Sequence, residues 1–204
     1  MRLIGLMMFC VLGAGTAGAA QVSSNSIGHV VAIQGKATAI GTNGQERILA
    51  PKSPIYINDR VTTGAGAKVQ VLLSDASIFS QGENSAMTID DYVYDPRDAT
   101  NVNCVVTFAK GVFRAVTGKI TALNPERFKV QTRMATIGIR GCELAFVVDD
   151  SGDAKIYVLD LPADHSVVVE PTRVARRELA KKSAMVSPAE RKDKEKVPQP
   201  KEAK

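Results

Sequence analysis

From Ile27 to Val169 the apolar residues recur at period two in runs no longer than eight, and each run stops at Gly, Asn, Asp or Ser. Side chains of a strand alternate between its two faces, so these runs read as half-buried strands and their punctuation as tight turns. They comprise Ile27–Gln34, Lys36–Ile40, Arg47–Leu49, Ile55–Ile57, Lys68–Leu73, Ser77–Phe79, Ala86–Ile89, Val102–Phe108, Val112–Val116, Phe128–Thr132, Thr136–Ile139, Leu144–Val148, Ile156–Leu159 and Val167–Val169. Asn43-Gly44 suits the positive φ angles of a two-residue hairpin turn. Ala109-Lys110-Gly111 reads as a hairpin between its flanking runs, and Asp149–Asp153 as a solvated turn. No run has helical spacing, which predicts an all-β fold: an antiparallel sandwich or jelly-roll-like domain, followed by a C-terminal helix and a disordered tail.

The ends differ from this middle. Arg2 precedes an apolar run from Leu3 to Leu12, and small residues follow to Ala20. That order is a cleavable signal peptide over residues 1–20, cut near Ala19 or Ala20, and it predicts a periplasmic or secreted protein. The rival, a retained anchor, wants about 20 strongly apolar residues. The β domain is expected over residues 21–170, and a basic segment, first helical (Val174–Lys182) and then disordered, over 171–204. The net charge of +5 is uneven: residues 21–170 hold 14 basic and 16 acidic side chains, residues 171–204 hold 11 and 5. The domain therefore offers no basic face for nucleic acid.

Chemistry is sparse. His29 and His165 are the two histidines and Trp is absent, too few imidazoles for a histidine-rich metal site. Neither a Gly-x-Ser-x-Gly elbow nor a phosphate-cradling Gly-Lys-Ser/Thr loop occurs. No catalytic residue, cofactor or metal ligand is expected. Cys10 lies within the signal, leaving Cys104 and Cys142, either disulfide-bonded or separately buried. Tyr92, Tyr94 and Arg97, set among Asp90–Asp98, are the candidate recognition surface, since Tyr and Arg favour such surfaces; a plain solvent-facing loop is the alternative.

Five segments in order carry a resemblance: Asn58–Val71, Ser74–Ser77, Lys110–Arg114, Phe128–Thr132 and Ala135–Glu143. Together they resemble the FecR domain family over about Ile27 to Val148. The resemblance implies an exported, non-catalytic β domain, with Asp59, Gly64, Asp75, Arg140 and Gly141 as structural motif residues. Arg140 is expected to meet a carboxylate or backbone carbonyls inside the sheet, with ligand binding as the alternative. Ala76 replaces the family's Gly, which predicts another turn geometry or mild strain. Arg133 stands where the family has Pro, and Cys142 where it has Thr. The Thr-to-Cys departure, with one other mature cysteine, suggests a Cys104–Cys142 bond.

Regulators of this kind carry a cytoplasmic segment and a membrane helix ahead of the domain, whereas only Met1-Arg2 precede the apolar run here. The expectation is a solitary binding, sensing or interaction module without a transmembrane signalling arm, its partner a protein or a cell-envelope polymer. The alternative is an envelope scaffold whose basic tail binds anionic surfaces, and a hydrolase with an unrecognised site is a third reading.

Overall fold

The segment Lys68–Leu73 sets the pattern of the molecule: Val69, Val71 and Leu73 are buried while Lys68, Gln70 and Leu72 face out. Repeated over most of the strands, that alternation gives the sheet an apolar face that must find another. The computed structural model describes residues 26–163 and 165–177. The expected signal segment and the tail beyond residue 177 lie outside the described residues.

The strands are β1 (Gly28–Gln34), β2 (Ala37–Ile40), β3 (Glu46–Ile48), β4 (Pro54–Ile55), β5 (Arg60–Thr63), β6 (Lys68–Leu73), β7 (Ile78–Gln81), β8 (Ala86–Tyr94), β9 (Val102–Val116), β10 (Phe128–Gln131), β11 (Ala135–Arg140), β12 (Glu143–Val148), β13 (Ala154–Asp160) and β14 (Ser166–Pro171). Helix α1 (Lys119–Leu123) and a 3-10 turn (Pro125–Arg127) return the chain from β9 to β10. A further stretch of helix covers residues 173–177. The all-β antiparallel class is as expected. The sheet is continuous and curled as a half-barrel, with β10 alone of the pairings parallel, to β9.

Two halves of this sheet meet in β9. Its residues 111–116 lie between β7 and β12 in the row β4-β1-β6-β7-β9-β12-β13. Its residues 102–110 lie between β8 and β10 in the row β3-β2-β5-β8-β9-β10-β11-β14. The expected hairpin at Ala109-Lys110-Gly111 is thus one 15-residue strand that changes partners there. Gly111 makes the change possible, with φ 113° and a position where a Cβ would lie 1.9 Å from the Ser85 Oγ. The Asn43-Gly44 turn also differs, being a longer loop between β2 and β3 in which Gly44 but not Asn43 takes positive φ.

The curl brings the apolar faces together. Phe79, Phe113 and Phe146 come from the first half, Phe108 and Phe128 from the second, and all five are buried. Phe108 stacks on Phe113 at 4.1 Å and meets Phe146 edge-on at 5.1 Å, while Phe79 lies 6.0 Å from Phe128. Truncating any of them to Ala would cost about 3–5 kcal/mol.

Candidate functional site

Asp75 is fully buried in the turn between β6 and β7, and the chain folds around its carboxylate. Oδ1 accepts from the Ser77 amide at 3.1 Å and the Tyr92 hydroxyl at 3.1 Å. Oδ2 accepts from the Ser77 hydroxyl at 2.6 Å and the Ile120 amide at 3.4 Å. The Asp75 amide donates to Tyr92 Oη at 2.8 Å, its carbonyl accepts from the Lys119 amide at 2.7 Å, and Ser77 Oγ accepts from the Gly118 amide at 2.9 Å. One turn, one strand and the start of α1 are therefore tied at a single carboxylate. Gly118 permits the approach, because a Cβ there would lie 2.3 Å from the Asp75 carbonyl oxygen. Ala76 stands between Asp75 and Ser77 with φ 67°, the strained outcome of the two expected for its departure from Gly.

Two further buried clusters have the same character. Asp59 is 1% exposed, pairs with the Arg47 guanidinium and accepts the Tyr56 amide at 2.9 Å. Arg47 also donates to the Pro54 carbonyl at 3.0 Å and lies 5.0 Å over the Tyr56 ring. At the β9 bend, Gln81 Nε2 donates to the Ser85 carbonyl at 2.8 Å and Thr63 Oγ1 at 3.2 Å. Thr63 Oγ1 in turn accepts the Ser85 amide at 3.1 Å, and Ser85 Oγ accepts the Val112 amide at 3.1 Å. Buried polar groups need such partners, and these hold neighbouring strands in register. The importance of Gln81, Thr63 and Ser85 was not visible in the sequence, because their partners are fixed by register across strands.

The expected recognition cluster is not one surface. Tyr92 is 5% exposed and bonded to Asp75, and burial pushes its phenol far above the ordinary value. The cause is a bulge at Ile89/Asp91, which puts Ile89 and Tyr92 on the same inward face though they are three residues apart. Tyr94 packs partly buried against the core, and Arg97 is exposed, pairing with Asp95 at 3.4 Å. The amide and side chain of Arg97 hold the Asp95 carboxyl below its usual range.

Cys104 and Cys142 are both buried and both free, so the suggested bond is not formed. Cys104 lies near the start of β9, opposite Tyr92 and Phe128. The Cys142 carbonyl instead accepts from Thr117 Oγ1 at 3.3 Å, just past the other end of the same strand. Burial raises both thiols, Cys104 strongly, which makes them poor nucleophiles.

The remaining motif residues sit as follows. The Gly64 amide donates to the Lys36 carbonyl at 3.0 Å, with the positive φ of that turn at Gly66. Gly141 lies against the His165 ring. Arg140 does meet a carboxylate, but outside the sheet: Nη2 donates to Glu126 Oε1 at 3.1 Å. That pair borders a polar cleft of about 430 Å³ over β10, β11 and β14, with Lys129, Thr136 and Glu170 in its walls.

A larger depression, about 530 Å³, crosses the outer face of the other half over β1, β6, β7, β9 and β12. Its floor is the cross-strand row Ala32, Gln70, Ser80, Arg114 and Ala145, and the register continues that row to Tyr157 on β13. Gln70 Nε2 donates to Ser80 Oγ at 3.3 Å, and Arg114 Nε to Glu143 Oε1 at 2.6 Å. That hydrogen bond holds the Glu143 carboxyl below its usual range. Among the described residues no three His, Cys, Asp or Glu side chains gather to hold a metal, and no helix is long and apolar enough to cross a membrane.

A family model described as "FecR protein" matches residues 59–160, half of the chain. A comparison with curated proteins gives no match. Among solved structures, a chain titled "Cell surface anchoring domain" is 32% identical, with 30% of this chain and 82% of that one covered and a TM-score of 0.30.

Proposed function

This chain belongs to the FecR protein family, and from that premise we propose that it is an exported, non-enzymatic recognition module of the cell envelope. One observation carries the reading: its buried carboxylates, Asp59 and Asp75, are bound to their own backbone and neighbouring side chains, while the larger of the two depressions described above is a side-chain-lined sheet face. Catalytic sites gather perturbed titratable groups in a cleft. Here the strongly perturbed groups, Tyr92 and Cys104, are sealed in the core, and the depression over β1, β6, β7, β9 and β12 presents Gln, Ser, Lys and Arg instead. Such groups suit binding.

The test is fractionation followed by retention. The full chain, expressed with a C-terminal tag, is expected in the osmotic-shock fluid or the medium, with a new N-terminus just after Ala19 or Ala20. The processed protein is then expected to sediment with native envelope fragments. Cytoplasmic recovery at full length, or no retention on envelope material, contradicts the proposal. Deleting residues 178–204 separates it from the scaffold reading, in which retention is lost with the basic tail.

A further inference from the structure

We propose that the trough over β1, β6, β7, β9 and β12 binds a linear acidic polysaccharide lying across the strands; this rests on the recognition reading above and names its ligand class. Adjacent strands lie about 4.8 Å apart, so the row from Ala32 to Tyr157, six strands wide, offers roughly 24 Å of floor. That length suits a chain of several units. Ala32, Ser80 and Ala145 keep the floor low, which admits a ligand as broad as a sugar ring.

The chemistry of the walls narrows the class. In the middle of a sheet the backbone donors and acceptors are already paired, so a peptide cannot be held here as it is at a free edge. Recognition falls to side chains. The Gln70 amide, the Ser80 hydroxyl and the Arg114 guanidinium form a line of hydrogen-bonding groups suited to hydroxyls and, for arginine, to a carboxylate. Tyr157, half exposed at the end of the row, supplies an aromatic ring for the apolar face of a sugar.

Charge selects the acidic members of the class. Lys68 lines the trough and Lys155 stands on the same outer face as Ala145 and Val147; neither makes an ion pair among the described residues. With Arg114 they make three cations on that face against two carboxylates, Glu143, which Arg114 binds, and Asp160, its cross-strand partner, so the face carries a small positive excess although residues 21–170 as a whole are slightly acidic. A negative polymer is steered to such a face.

Affinity electrophoresis of the full chain through gels containing polygalacturonate, dextran or no polymer tests this, with pull-down on phosphatidylglycerol vesicles alongside. Polygalacturonate is expected to retard the protein and dextran to retard it far less. Arg114→Gln, which removes a contact, and Ala145→Phe, which fills the trough without changing charge, should each weaken retardation roughly tenfold, the loss of about one good contact. Ile48→Phe, an aromatic ring introduced on an exposed strand of the other half, should change nothing, and thermal unfolding checks that all three fold.

Retardation equal to wild type in both trough variants overturns the proposal, since the basic tail is unchanged in them. Equal retardation by dextran, or binding to vesicles alone, overturns the ligand class. If no polysaccharide binds but Ala145→Phe abolishes retention on envelope fragments, the ligand class fails and the recognition reading stands. If Ala145→Phe leaves that retention intact as well, this site fails, and loss of retention in wild type itself is what would defeat the broader reading.

Discussion

The Asp75 cluster and the strands β13 and β14 invert each other: one is polar and buried, the other apolar and exposed. Asp75, Ser77 and Tyr92 are at most 5% exposed, whereas Val158, Leu159 and Val169 are about half exposed. β13 pairs only with β12 and β14 only with β11, so each is the last strand of its row. A residue's polarity therefore says less about its burial than the number of strands that pack around it. Asp75 is interior because β6, β7, β8 and α1 converge there; Val169 is exposed because nothing described packs beyond β14.

Mutations should separate the two regions, with the largest effect at the carboxylate. Asp75→Ala leaves Ser77, Tyr92 and the Ile120 amide without their acceptor and should cost about 3–5 kcal/mol. Thermal unfolding would then shift down by roughly 10 °C or more. Gly111→Ala, which drives a Cβ into Ser85, should cost about 3 kcal/mol in denaturant titration. Tyr92→Phe should cost about 1–2 kcal/mol, one buried hydroxyl with two partners.

The same cluster predicts an alkaline limit. Burial raises the Cys104 thiol from its ordinary 9.0 and the Tyr92 phenol from 10.0, so the folded chain keeps protons that the unfolded chain releases. Stability is then intact below about pH 9 and falls as pH rises past it, because the unfolded state binds fewer protons there. Guanidinium titrations between pH 7 and 11 should show that decline, smaller in Tyr92→Phe; a flat profile would contradict it. Ala76→Gly should work in the other direction, relieving the φ of 67° and stabilising by about 0.5–1 kcal/mol. The smallest effects belong to the edge: Val158→Thr and Val169→Thr should stay within about 0.5 kcal/mol of wild type. Losses near those of Asp75→Ala would erase the contrast.

What the sequence revealed follows the same division. Alternation within one strand exposed most of the β elements, and motif order exposed the family. Contacts between strands were hidden. Tyr92 looked like a loop residue because the bulge at Ile89/Asp91 interrupts the alternation that would have marked β8 as longer. β9 read as two strands because a Gly flanked by β-rich runs signals a hairpin equally well. β5 is absent from the series of apolar runs, since Thr62-Thr63 run straight into Gly64-Ala65-Gly66. The two cysteines invited a bond because spacing does not reveal that they belong near opposite ends of β9. The trough could not be seen at all, because Ala32, Gln70, Ser80, Arg114, Ala145 and Tyr157 become neighbours only through register.

Retention of Ala145→Phe on native envelope fragments, compared with wild type at matched thermal stability, bears most directly on the claim that this domain recognises with an outer sheet face. The trough predicts a roughly tenfold loss of retention with no change in unfolding temperature. Retention equal to wild type would contradict it.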